Sequence, residues 1–221
     1  GLSLRRHRVA AHVERDPHLS APLNGADRWG SLSACTVEAL SAAAAQFSTK
    51  PIPFRANPLY PPPMSIWICS LAAAPQMARK VRPSRIVSLL SPYDTFPTFD
   101  GVGPDLHLTV PIHDIVDDIG DWRAPDLSDA ESVIRFVEGW DRANPMLIHC
   151  WAGISRSTAS AFITACVHNP KADEEEIALA IRSASATASP NRRLVAHADA
   201  LLGRGGRMNR AVEAIGRGDV A

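Results

Sequence analysis

Nine consecutive residues, His149-Cys150-Trp151-Ala152-Gly153-Ile154-Ser155-Arg156-Ser157, set a thiol and a guanidinium six positions apart with a glycine between them. A free thiol ionises near pH ~8.5, but at a helix N-terminus beside a cation its pKa falls to ~3.5–7.5. The resulting thiolate is a nucleophile at neutral pH without an adjacent base. The planar fork of Arg156 suits two oxygens of one phosphate. Backbone N–H groups of a loop wrapped around a helix start supply further positive potential, and Gly153 permits a backbone angle that a bulkier residue resists. The chemistry expected of this stretch is attack by Cys150 on a phosphorus held by Arg156. Taken singly, either residue is more simply a buried cysteine or a surface arginine. The whole pattern HCxxGxxRS outweighs that reading.

Such a loop needs a strand to deliver the cysteine and a helix to receive the arginine. Met146-Leu147-Ile148 is a short apolar strand running into His149-Cys150, and Ser157 to His168 is small and apolar throughout, as in a buried helix. Upstream, Ile66 to Cys69 and Arg85 to Leu90 have the character of buried strands, and Leu106 to Val110 alternates as a strand until Pro111. Helical composition marks Ala72 to Lys80, interrupted by Pro75 near its start. A helix through Val133 to Trp140 opens with Ser128 and Glu131 at capping-box spacing. Further helices are expected over Asp173 to Ser185, over Pro190 to Leu202 with proline in the first turn, and over Arg207 to Ile215. Strands alternating with helices predict an α/β fold, a central, mostly parallel sheet flanked by helices.

The nine-residue stretch resembles the signature loop HCxxGxxR[ST] of the cysteine-based protein tyrosine phosphatases. Its form is most similar to the dual-specificity branch and to compact bacterial tyrosine phosphatases. The resemblance extends over roughly Met64 to Ile215 and implies a phosphatase-like fold and a set of roles. Cys150 would form the phosphocysteine intermediate, and Arg156 would bind the phosphoryl oxygens. His149 would orient the loop and tune Cys150, and Ser157 would assist the thiolate as it leaves. The backbone amides from Trp151 through Ala152, Gly153, Ile154 and Ser155 to Arg156 would line the substrate cradle. His149 also fits a purely structural role, and Ser157 that of a helix cap.

The family also uses an aspartic acid, on a loop some thirty residues before the cysteine, to protonate the leaving oxygen. Here the loop His113 to Asp121 carries four candidates. Asp114, next to the strand end, is the first choice, with Asp117, Asp118 and Asp121 as rivals. The glutamine-rich and phosphotyrosine-recognition loops of larger members are not recognisable, so strict tyrosine specificity is not implied. Phosphoinositide phosphatases tend to place basic residues inside the loop, whereas Trp151, Ala152, Ile154 and Ser155 are not basic. The expected substrate is therefore a phosphorylated protein, on tyrosine and also serine or threonine, ahead of a phosphoinositide or other small phosphomonoester. A phosphate-binding module without catalysis is the alternative from another class. It would be expected to lack the cysteine or the arginine. Segment 188 to 192 reads as a helix start rather than as part of the pocket rim.

The rest of the 221-residue chain sets bounds on this reading. Hydrophobic residues make up 46% and charged residues 21%, with zero formal net charge. That balance calls for neither nucleic acid nor a membrane as partner. Cys35, Cys69, Cys150 and Cys166 form no CxxC pair, which fits a reducing, cytoplasmic setting. Cys69, ending a strand expected beside that of Cys150, is a better candidate disulfide partner for it than Cys166. The histidines lack zinc-ligand spacing, and no metal or cofactor is expected. Abundant alanine and arginine point to a GC-rich bacterial genome. Residues 1–63 are Ala/Pro-rich, with Pro51, Pro53, Pro58, Pro61, Pro62 and Pro63 near the end, and are expected to be a disordered leader. The first methionine is Met64, the expected start of the folded unit and of a phosphatase domain over 64–217. A processed protein with a leader fits the same residues.

Overall fold

The computed structural model describes residues 65–219; the expected leader lies outside them. Four strands make one sheet: β1 (Ile66–Ser70), β2 (Arg85–Leu90), β3 (His107–Pro111) and β4 (Met146–Cys150). Their order is β1-β4-β2-β3, and every pair is parallel. β4 therefore lies between two neighbours, and all five of its residues are buried. Strands covered on both faces need apolar residues at consecutive positions. That explains why Met146-Leu147-Ile148 is a continuous run rather than an alternation.

Alternation still divides the core. Met146, Ile148 and Cys150 pack into the larger cluster, while Leu147 belongs to a smaller one with Cys69, Ile86 and Phe99. Helix α1 (Ala74–Val81) covers the smaller cluster. The larger cluster takes in α2 (Leu127–Glu138), α3 (Arg156–His168), α4 (Glu174–Ala184), α5 (Arg192–Leu201) and α6 (Arg207–Ile215). α3 is its centre. Every residue from Arg156 to Cys166 is buried, and small side chains such as Ala159, Ser160, Ala161 and Ala165 let neighbouring elements approach closely.

Element boundaries depart from the sequence reading at the helix starts. Pro75 sits in the first turn of α1, where its missing N–H costs nothing, so it opens that helix rather than interrupting it. Leu106 closes a short 3-10 turn, and β3 begins at His107. Pro190 precedes Asn191, the N-cap of α5, and so lies outside the first turn. The capping box of α2 is not Ser128 with Glu131. It is Asp126 with Asp129: Asp126 accepts from the Asp129 N–H at 3.0 Å, and Asp129 accepts from the Asp126 N–H at 2.9 Å. Asp129 is also held at 2.7 Å by Arg123, and this fixes the frame one half-turn earlier. Asp126→Ala should lower stability by about 1 kcal/mol, the usual worth of an N-cap. Ser128→Ala should change it by less than about 0.5 kcal/mol. Urea unfolding of the two variants checks the assignment; equal losses would contradict it.

Candidate active site

β4 ends at Cys150 and α3 starts at Arg156, so residues 151–155 must turn the chain at the C-terminal edge of the sheet. The turn presses against β1. Leu71 N–H donates to the Trp151 carbonyl at 3.1 Å. Gly153 has φ +77°, and a Cβ there would lie 2.8 Å from the Cys69 carbonyl carbon and 2.9 Å from its oxygen. Both the backbone angle and the close approach require glycine. From this position the Gly153 N–H donates to Cys150 Sγ at 3.2 Å, and Ser157 Oγ lies 3.2 Å from the same sulfur. Ser157 thus faces the thiol from inside the first turn of α3 and is not its N-cap, which is Ser155.

No side chain caps α3, and its first turn carries no acid. The Ser155 hydroxyl points elsewhere, donating to Asp114 Oδ1 at 2.6 Å. The first N–H groups of this helix are thereby left without a side-chain acceptor. Arg156, 4% exposed, adds a full positive charge at the same end. One guanidinium nitrogen donates to the Ile112 carbonyl at 2.8 Å. Its Nε is buried without a hydrogen-bond partner, and the Asp114 carboxylate lies 3.8 Å away, beyond hydrogen-bond reach. Desolvating a cation costs several kcal/mol unless it is closely paired, and this pairing is loose. The arrangement can receive an anion above the Cys150 thiol.

Of the four candidate acids, the structure brings Asp114 to this site. Asp118 pairs instead with Arg193 at 2.9 Å, and Asp117 and Asp121 are exposed. The loop that carries them is fastened at its neck. His113 N–H donates to the Arg123 carbonyl at 2.8 Å, and Arg123 N–H donates to His113 Nδ1 at 2.9 Å. The Arg123 guanidinium ties Pro111 to Asp129, and Trp122 stacks on the His113 ring. Asn191 joins the two loops: its side-chain N–H groups donate to Asp114 Oδ1 at 3.1 Å and to the Ile115 carbonyl at 3.2 Å. Its backbone N–H donates to the Ser155 carbonyl, and its Oδ1 caps α5. Segment 188–192 is thus a helix start and also part of the site wall, with Ser189 N–H on the Ile154 carbonyl at 2.9 Å. From the sequence, this segment reads only as a helix start.

Around the loop, Trp151 is exposed, while Ala152, Ile154 and Ser155 are half-buried. Cys69 pairs in register with His149, so its side chain lies on the sheet face opposite Cys150. Burial, with the charge of Cys150 adding, pushes the Cys69 thiol up to about 12, which makes it a poor nucleophile for rescue of an oxidised Cys150. Burial likewise pushes Cys166 up to about 12. Among the described residues, no three His, Cys, Asp or Glu side chains gather as metal ligands, and no helix is long and apolar enough to cross a membrane.

No family model matches the chain, and no curated protein matches it. Among solved structures, the human tyrosine phosphatase-like serine/threonine/tyrosine-interacting protein is similar with a TM-score of 0.50 at 15% identity, over 63% of this chain and 92% of that one. Human DUSP28 is similar with a TM-score of 0.47 at 19% identity, over 68% and 94%. PTPMT1 in complex with PI(5)P gives 0.47 at 15%, over 68% and 93%. The first of these carries the likeness, which is one of fold. The α/β fold expected from the sequence is the tyrosine phosphatase-like fold.

His149 is fully buried, and burial holds its imidazole down to about 4, with the Cys150 backbone partly offsetting this and His107 adding to it. The ring is therefore neutral at physiological pH. The unfolded chain takes up this proton near 6.5 and the folded one only near 4. Between these values the unfolded state binds more protons, so the contribution of neutral His149 is complete above 6.5 and fades as the pH falls toward 4. Its ring resonances should stay flat from about pH 8 to about pH 5, and urea-measured stability should fall across the acidic window less steeply in His149→Gln. A ring that titrates near 6.5 would overturn this.

Proposed function

We propose that this protein hydrolyses phosphomonoesters through a phosphocysteine intermediate, with phosphorylated tyrosine, and also serine or threonine, on proteins as substrate. The fold alone does not decide between hydrolysis and binding, since one fold hosts many functions. The observation that carries the reading is the combination around Cys150. Cys150 Sγ accepts from the Gly153 amide and meets the Ser157 hydroxyl. Beside it stand an uncapped helix start and a buried arginine with an unpartnered Nε. A module that only bound phosphate would have no need of the sulfur.

In this reading the phosphate takes up the Arg156 fork and the loop amides. The Cys150 thiolate attacks phosphorus, the S–P bond forms, and the P–O bond to the substrate breaks. Asp114, protonated, gives its proton to the departing oxygen. In the second half a water attacks the phosphocysteine and passes a proton to Asp114. The S–P bond breaks, with Ser157 donating to the leaving thiolate, and inorganic phosphate departs. Asn191 and Ser155 hold the carboxyl for both transfers.

Three variants test this on para-nitrophenyl phosphate without added metal. Cys150→Ser should abolish turnover while still binding vanadate. Arg156→Lys should lose at least about 100-fold in kcat/KM, because a point charge does not replace a bidentate fork. Near-normal activity in either one rules the mechanism out. Asp114→Asn should lower kcat by about 10²–10⁴-fold for poor leaving groups and much less for activated aryl phosphates. Asp117→Asn, Asp118→Asn and Asp121→Asn should stay near wild type. A flat leaving-group dependence in Asp114→Asn would remove Asp114 from the acid role.

A further inference from the structure

Beneath the nucleophile lies a polar chain that this chemistry does not use. Ser88 is fully buried in the middle of β2, within the otherwise apolar run Ile86-Val87-Ser88-Leu89-Leu90. Its Oγ is 2.6 Å from Nε2 of His149 and 2.7 Å from Nε2 of His107. The register explains the meeting. Ser88 stands opposite His149 on β4, and His107 on β3 pairs with Ile86, which shares the face of Ser88. Phe99 lies edge-on to both rings at 5.1 and 5.9 Å and is buried, as are Ser88 and His149, while His107 is half-buried.

A hydroxyl carries one hydrogen, so between two imidazole nitrogens it donates to one and must accept from the other. Contacts this short exclude two lone pairs facing each other. The two rings therefore hold opposite roles at Nε2. Nδ1 of His149 is buried and closes no hydrogen bond, but the adjacent Cys150 backbone favours a proton on the ring, as an accepting carbonyl does. That orders the chain. His107 Nε2–H donates to Ser88, Ser88 O–H donates to His149 Nε2, and the His149 proton sits on Nδ1, on the side of the Cys150 backbone.

We infer that Ser88 and His107 are positioning residues for Cys150, fixing the tautomer and orientation of His149 and through it the backbone at the head of the phosphate loop. This rests on Cys150 being the nucleophile of the proposed reaction. Neither residue touches substrate, since their sheet face is opposite that of Cys150. They act through the ring between.

The test has a spectroscopic and a kinetic arm, both on the full chain. Nitrogen-15 NMR of the histidine side chains should show His149 protonated at Nδ1 and His107 at Nε2, with the His149 preference lost in Ser88→Ala. This arm reads the chain of hydrogen bonds even if the protein shows no turnover, so its failure is distinct from failure of the phosphatase reading. Ser88→Ala should lower kcat on an aryl phosphate by about tenfold, the rate equivalent of one buried hydrogen bond. KM and vanadate affinity should change little, and Ser88→Thr should restore most of the rate. His107→Gln, which keeps a donor, should stay within about threefold of wild type, whereas His107→Leu should lose about tenfold. These two variants serve where Ser88→Ala does not fold. A His149 protonated at Nε2, or unchanged kcat in both Ser88→Ala and His107→Leu, overturns the inference.

Discussion

The site depends on a positive charge placed where a helix least tolerates one. Arg156 occupies the first turn of α3, at the positive end of the helix dipole, with no acidic residue in that turn. It is also buried, so water does not screen it. Its closest neighbours are one carbonyl and a carboxylate 3.8 Å away. A structure organised for stability alone would put an acid here or let the guanidinium reach solvent. In the proposed reaction the substrate phosphate supplies the missing negative charge, held by the amides of residues 151–156.

The excess is sustained by the packing around it. β4 is clamped between β1 and β2, and α3 is enclosed by helices on the larger side of the core. Gly153, lacking a side chain, lets the loop lie directly against the β1 backbone. The acid loop is held from three sides: by Arg123 at its neck, by Ser155 from the phosphate loop and by Asn191 from the start of α5. Asp114 is thus placed by residues 9, 41 and 77 positions away in the chain.

That dispersion explains what could be read from the sequence. Cys150, Gly153 and Arg156 lie within seven residues, and the constraints linking them are local, so spacing alone exposes them. Asp114 was legible as the acid nearest a strand end, because β3 fixes the chain just before it. Asn191 was legible only as part of a helix start. Its second amide contact depends on α5 docking beside the acid loop, and no local pattern encodes that. For the α2 cap the spacing pointed to Ser128 with Glu131, whereas the fold uses Asp126 with Asp129. Arg123 chooses between them through a contact made in the folded state. Ser88 did leave a signal, a lone hydroxyl in a buried strand that had to find a partner. The identity of the partner followed from the strand order β1-β4-β2-β3, which the sequence does not display.

The adjacency of His149 and Cys150 has a geometric reason. Successive residues of a strand point to opposite faces of the sheet. In β4 this sends Cys150 toward the start of α3, and His149 into the opposite layer, among Ser88, His107 and Phe99. In the proposed reaction the thiol needs an electropositive surrounding. A ring that orients the backbone needs the reverse, a closed site where its charged form is excluded and each hydrogen bond has one arrangement. Neither surrounding could serve both residues. The pleat separates them by the thickness of one strand while keeping them one peptide bond apart, and on the inference above that single bond is the route by which order in the imidazole would reach the backbone that carries the thiol.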